Sequence, residues 1–203
     1  MREKLLNVLK FFFFILLIPI VVATVISFGQ QLYALEENPR NMLLGGLYLY
    51  VVMHLFFFEP MDLYNFGQGL IYSLLKFSQP VAIVGKYVLP FYAFLFCLAY
   101  YFAVVLAGIG GIWPSFILLF IGFTMAMHVI LTAHTLHEED TSSFKPHYFS
   151  TMALTYLAST TLLACFLSLI FKEFSLSEFL GTVFNISELI YSRAFQQLFE
   201  PSS

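Results

Sequence analysis

Charge is what this sequence has least of. Lysine and arginine number 9, aspartate and glutamate 12, and together they make up 10% of 203 residues. A soluble domain carries about 25%. The net charge of −3 comes with no basic patch, so no nucleic-acid partner is expected. Cysteine is nearly absent, with 2 residues, Cys97 and Cys165, both inside apolar runs. That excludes a disulfide framework, and there is no C-x-x-C. The apolar runs do not alternate, which excludes a β-barrel. No A-x-A site follows the first run, which is too long for the apolar core of a typical signal peptide. No internal repeat is visible.

What the chain has is apolar length. Hydrophobic residues make up 60% and the mean hydropathy is +0.86. Several runs reach about 20 residues, enough to cross a hydrocarbon core of about 30 Å. The expected fold is all-α: a polytopic transmembrane bundle of about five spans. These fall at residues 11–28, 42–58, 81–108, 116–131 and 148–171. A half-buried helix is expected over 63–79 and an amphipathic helix over 176–199. Residues 1–171 then form the membrane domain, and 172–203 the C-terminal helix and tail. Pro19 and Pro90 should kink their spans, and Glu59-Pro60 should end the second. The fifth span is rich in small and hydroxyl residues, so it is expected to be the most enclosed. Ser175-Leu176-Ser177-Glu178 matches a capping box.

Five spans put the N-terminus in the cytoplasm and the C-terminus outside. Arg2, Lys4, Lys10, Lys76, Lys86 and Lys145 then lie inside, against Arg40, Lys172 and Arg193 outside, as the positive-inside bias asks. The last helix is too apolar for water. Burying five of its large side chains is worth about 10 kcal/mol gross. Glu178, Glu188 and Arg193 oppose spanning, at about 2.5–3.5 kcal/mol each if central. The helix should therefore lie on the outer surface or dock on another subunit.

Four of the 5 histidines lie between residues 128 and 147. His134, His137 and Glu138 share a helix face. The topology lets His54, Glu59 and Asp62 approach them, together with Asp140 and His147. Imidazole with carboxylate suits zinc or iron. The competing reading is a helix leaving the bilayer, with Glu138, Glu139 and Asp140 solvated and no metal bound. His128 lies deeper, where an ionisable group is costly. That makes it a functional candidate and a further candidate metal ligand beside His54, His134, His137 and Glu138; the competing reading is a neutral imidazole bonded to a threonine or a carbonyl.

Several segments together resemble a bacterial family related to site-2-protease-like membrane zinc metalloproteases. They are Leu55-Phe56-Phe57-Phe58-Glu59-Pro60, Leu63-Tyr64-Asn65-Phe66-Gly67, Leu89-Pro90-Phe91-Tyr92, Gly122-Phe123-Thr124-Met125-Ala126-Met127-His128 and Leu131-Thr132-Ala133-His134. The resemblance covers most of the chain from residue 42 onward and implies a bacterial inner membrane. Such proteases carry H-E-x-x-H after the position of Gly67, with two zinc-binding histidines and a glutamate base. Here the run reads Gln68-Gly69-Leu70-Ile71-Tyr72. Neither histidine nor the glutamate is present, which excludes that chemistry. The stretch from Tyr72 to Pro90 is also short for a substrate-binding hairpin. The resemblance thus implies an inactive relative, with His128 and His134 as remnants or structural residues.

Three function classes follow. The first is a non-catalytic membrane subunit or scaffold, in contact with lipid and other membrane proteins and needing no cofactor. The second is a small metal-dependent enzyme using the histidine cluster. The third is a carrier or channel component. Against the third, the expected spans hold no paired charges and no acidic residue at mid-membrane.

Overall fold

Proline decides where most of these helices begin. The computed structural model describes residues 2–57, 59–140 and 145–199. Helix α1, Arg2–Ala34, tolerates Pro19 in its interior. Helix α2, Glu37–Phe56, has Pro39 in its first turn, and Pro60 is the N-cap of α3, Met61–Leu74. Pro80 opens α4, Gln79–Val88, and Pro90 is the N-cap of α5, Phe91–Tyr100, which continues as a π-helix over Tyr101–Leu106. Pro114 opens α6, Trp113–Glu139, and Pro146 opens α7, Pro146–Ile170. The last element is α8, Leu176–Phe199. A proline costs no hydrogen bond in a first turn, whose N–H groups have no intrahelical partner. The all-α expectation holds: among the described residues there are helices and no strands.

The number of spans is lower than expected. Among the described residues three helical stretches are long and apolar enough to cross a membrane: Leu6–Ala34, Trp113–Glu139 and His147–Ile170. Gln79–Val88 with Phe91–Leu106, bent by 72°, is a fourth if taken as one broken span. The chain is therefore an integral membrane protein, and large apolar side chains such as Phe12, Leu16 and Val25 stand exposed along α1. Two expected spans are corrected. The one at 81–108 breaks because Pro90 forces Leu89 into an extended conformation. The one at 42–58 becomes α2, which begins earlier, takes Glu37, Asn38 and Arg40 into its first turns, and stops at Phe56. Phe58, the expected last residue of that span, and residues 200–203 lie outside the described residues. The expected helix at 63–79 ends at Leu74.

Helices α2 and α6 run side by side in the same direction. Asn38 bonds Ser115 at one end (3.3 Å), and the Tyr50 ring meets Phe123 edge-on further along (5.1 Å). Their backbones touch at Gly46 and Gly122. A Cβ on Gly46 would collide with the Leu119 carbonyl oxygen, and one on Gly122 with the Leu43 carbonyl oxygen. In lipid, close approach and packing replace the hydrophobic effect as the force between helices. This contact makes α6, rather than the expected fifth span α7, the more enclosed helix.

Helices α1 and α7 are also parallel, with Phe14 stacked on Phe149 at 5.1 Å. Helix α8 runs antiparallel along α1. Ser27 donates to the Phe179 carbonyl (2.8 Å), and the Tyr191 hydroxyl donates to the Leu16 carbonyl. Phe174 and Phe179 enter the same core as Leu32, Leu163 and Leu167. The C-terminal helix thus lies against its own first helix. Its far end sits where α1 begins, not at the opposite end as five spans required.

Candidate functional site

A buried polar cluster lies where α3 and α7 pack against α6. Tyr64 and Gln68 are four residues apart on α3, and His128 and Thr132 four apart on α6, so each pair shares a face. The Tyr64 and Thr132 hydroxyls are 2.7 Å apart, and the Gln68 amide donates to the Tyr64 oxygen. Burial pushes the Tyr64 hydroxyl up to about 12, so it remains a neutral phenol. His128 is buried, contacts the Ser159 hydroxyl at 3.5 Å and hydrogen-bonds to the Tyr87 backbone. Tyr64, Gln68, Tyr92, Thr124 and His128 help to line a cavity of about 10 Å³. That is room for about one water molecule.

The groups are arranged to satisfy one another. Ser159 donates its hydroxyl hydrogen to the Val88 carbonyl at 2.7 Å. The hydrogen is therefore not offered to His128, and the pair is not an activated nucleophile. Gln68 and Gly69 sit on α3, whose Gly67 faces the Tyr92 ring. Gln68 spends its amide on a phenol, and a neutral amide is a poor zinc ligand.

The expected histidine cluster divides into local pairs. His54 lies 3.7 Å from Glu59, and His134 lies 3.7 Å from Glu138. His137 meets the Lys145 ammonium at 2.7 Å, and His147 meets Thr151 at 3.3 Å. Glu139 accepts from the Tyr87 hydroxyl (2.6 Å), and Asp140 accepts from the Tyr148 backbone (2.8 Å). Asp140 is buried, so the expected solvated end is in part a packed helix junction. Among the described residues no three of His, Cys, Asp and Glu come together in a group that would hold a metal ion. His54, His134, His137, Glu138 and His147 thus do not converge, although α2 and α6 bring their ends to the same side as expected. Cys97 and Cys165 are free thiols, the first buried and the second half-buried.

Sequence reasoning singled out His128 but passed over its neighbours Tyr64 and Ser159 and the Thr132 hydroxyl that bonds Tyr64. A signal was present: hydroxyls and an amide at four-residue spacing on apolar helices. It also passed over Gln31, whose oxygen accepts from the Ser175 backbone (2.8 Å) while its nitrogen donates to Glu178 (3.3 Å). Ser175 caps Glu178 as the capping box predicts (3.2 Å). The reciprocal half of that box is taken over by Gln31 from α1. Comparison with family models, with curated proteins and with solved structures finds no match for this chain.

Proposed function

We propose that this chain is a non-catalytic subunit of a membrane assembly, an inactive relative of membrane zinc metalloproteases. The observation that carries the reading is the state of Gln68. It stands where that motif begins, its amide is spent on Tyr64, and the adjoining cavity holds about 10 Å³. That cavity has room for about one water molecule. The exposed apolar face of α8, with Phe184, Phe195 and Leu198, adds a surface that another membrane protein can cover.

The proposed site is a bacterial inner membrane, with α1 starting in the cytoplasm. Lys10 on α1, Lys145 before α7 and Arg193 on α8 then lie towards that face, in keeping with the positive-inside bias. The test is native size after gentle extraction. An assembly larger than the 23.3 kDa chain is expected. A monomer sinks the subunit reading. Stoichiometric zinc lost on Gln68→Ala but kept in His134→Ala sinks the inactive-relative reading.

A further inference from the structure

Glu188 is an exposed carboxylate in an open groove of about 920 Å³ between α1 and α8, and Ile20 of α1 lines the same groove. Ile20 is the middle residue of the 29-residue stretch Leu6–Ala34. The antiparallel register between the Ser27–Phe179 and Leu16–Tyr191 bonds sets the carboxylate beside the middle of that stretch. Its depth is pinned from both sides, by the Ser27–Phe179 bond and by the Tyr191–Leu16 bond. Among the described residues the close charged contacts are His54–Glu59 and His134–Glu138, and neither involves Glu188. Sequence reasoning found no acid at mid-membrane because it did not place α8 beside a span.

Leu180, Phe184, Glu188, Ser192 and Gln196 follow at four-residue intervals, so they form one stripe of α8 along the groove. The stripe is apolar in its first half and polar in its second. A carboxylate facing hydrocarbon is costly, and such groups in membrane proteins pair with one another or face a polar cavity. An acyl chain supplies no counter-charge. A second copy in the same membrane has the same orientation, so at this depth it offers Glu188 against Glu188. Its nearest basic residue on α8 is Arg193, about 7–8 Å further along the axis. The occupant must bring a cation of its own.

We propose that the α1–α8 groove takes a membrane-spanning helix of a different protein, carrying a lysine or arginine at mid-depth, with Glu188 as its counter-charge. Ser192 and Gln196 supply the interhelical hydrogen bonds that add to such contacts in lipid. The proposal rests on the subunit reading and names the kind of partner that reading requires.

The test uses the full chain in its native membrane, with a photoreactive benzoyl-phenylalanine at Phe184 or at Ser192. The same group at Phe12, on the exposed face of α1, is the control. The expected result is one discrete protein adduct from Phe184 and Ser192 and none from Phe12. Peptide mapping should place it in a spanning segment with a lysine or arginine within about two turns. With the photoreactive group at Phe184, Glu188→Leu and Glu188→Lys should each lower adduct yield about tenfold, the worth of one interhelical polar contact. Glu188→Leu removes a charge from hydrocarbon and so cannot unfold the chain by exposing one. Unchanged thermal melting confirms that it is folded. An adduct with a second copy, an adduct with lipid only, a partner segment without a basic residue, or a yield unchanged in Glu188→Leu overturns the proposal. If the chain stays in a large assembly while both groove positions give no protein adduct, the groove is wrong and the subunit reading stands. If the chain is a monomer, both fall.

Discussion

At Gly46 and Gly122 hydrogen is the only side chain that fits. Each faces a carbonyl oxygen of the opposite helix, and a backbone cannot step aside as a flexible side chain can. Alanine in a helix is worth about 1 kcal/mol over glycine, whereas overpacking costs about 1–3 kcal/mol and occasionally more. At these two positions the clash wins. We expect Gly46→Ala and Gly122→Ala each to lower the melting temperature in detergent by the equivalent of about 2–3 kcal/mol. Gly45→Ala, next along the chain with nothing within 4 Å of its Cβ, should be neutral or stabilising. Equal effects at Gly45 and Gly46 would show that the α2–α6 contact is not as described. The polar cluster gives a second expectation at this scale. Tyr64→Phe takes the Tyr64 partner from both the Thr132 hydroxyl and the Gln68 amide, and Thr132→Val removes the phenol's bond to Thr132 while Gln68 still donates to it. Each should cost about 1–3 kcal/mol. The double variant should cost less than the sum, because the second change removes a group already orphaned. Strict additivity in that cycle would mean that the Tyr64–Thr132 contact of 2.7 Å carries no energy.

Among the elements, α8 is held at its start by side chains of another helix. Gln31 of α1 accepts from the Ser175 backbone and donates to Glu178, and Ser27 reaches the Phe179 carbonyl one turn away. Gln31→Leu removes both Gln31 bonds and should destabilise the start of α8 by about 1–2 kcal/mol. Backbone amide exchange should quicken over residues 175–180, while exposed Gln30→Leu leaves it unchanged. Exchange unaltered by Gln31→Leu would mean that apolar packing alone seats the helix. The helix starts were written in the sequence but not read from it: Pro60 was expected to end a span and Pro90 to kink one, whereas each caps the start of a helix. The partner of α8 was not legible. An amphipathic pattern says that a helix has a face to bury, never what buries it, and Gln31 is 144 residues from Ser175. The histidine cluster was legible as residues and not as geometry. Spacing puts His134 and Glu138 on one face, but only the packing shows His54 held beside Glu59 instead. In the buried cluster His128 was legible by its cost in an apolar run. Tyr64 was not, because a tyrosine amid apolar residues looks the same lipid-facing or buried.

For the whole molecule, the direction of α8 decides where the chain's two ends lie. Helix α1 and helix α7 rise together, through Phe14 and Phe149, and α8 returns along α1 until Tyr191 reaches Leu16. The start of α2, where Asn38 bonds Ser115, lies at the other end of the bundle. The stretch Leu6–Ala34 is 29 residues long. At 1.5 Å per residue such a helix extends about 44 Å, against a hydrocarbon core of about 30 Å, so both its ends emerge. Continuing the antiparallel register carries Gln197 to the level of the first turns of α1, at the edge of that core. The arrangement therefore makes a prediction that five spans with opposed termini do not. In a chain with Cys97→Ala and Cys165→Ala, single cysteines at Leu6 and at Gln197 should react with an impermeant maleimide from the same face of sealed vesicles. One at Arg40 should react from the opposite face. If the proposed orientation holds, the shared face is cytoplasmic. Labelling of Gln197→Cys together with Arg40→Cys would detach α8 from α1. It would place Glu188 outside the bilayer and remove the groove with it. Labelling of all three from one face would mean that α1 does not cross at all. The same-side result is the one that a bonded α1–α8 pair requires, since a helix held at Ser27 and again at Leu16 has no route back to the side from which it started.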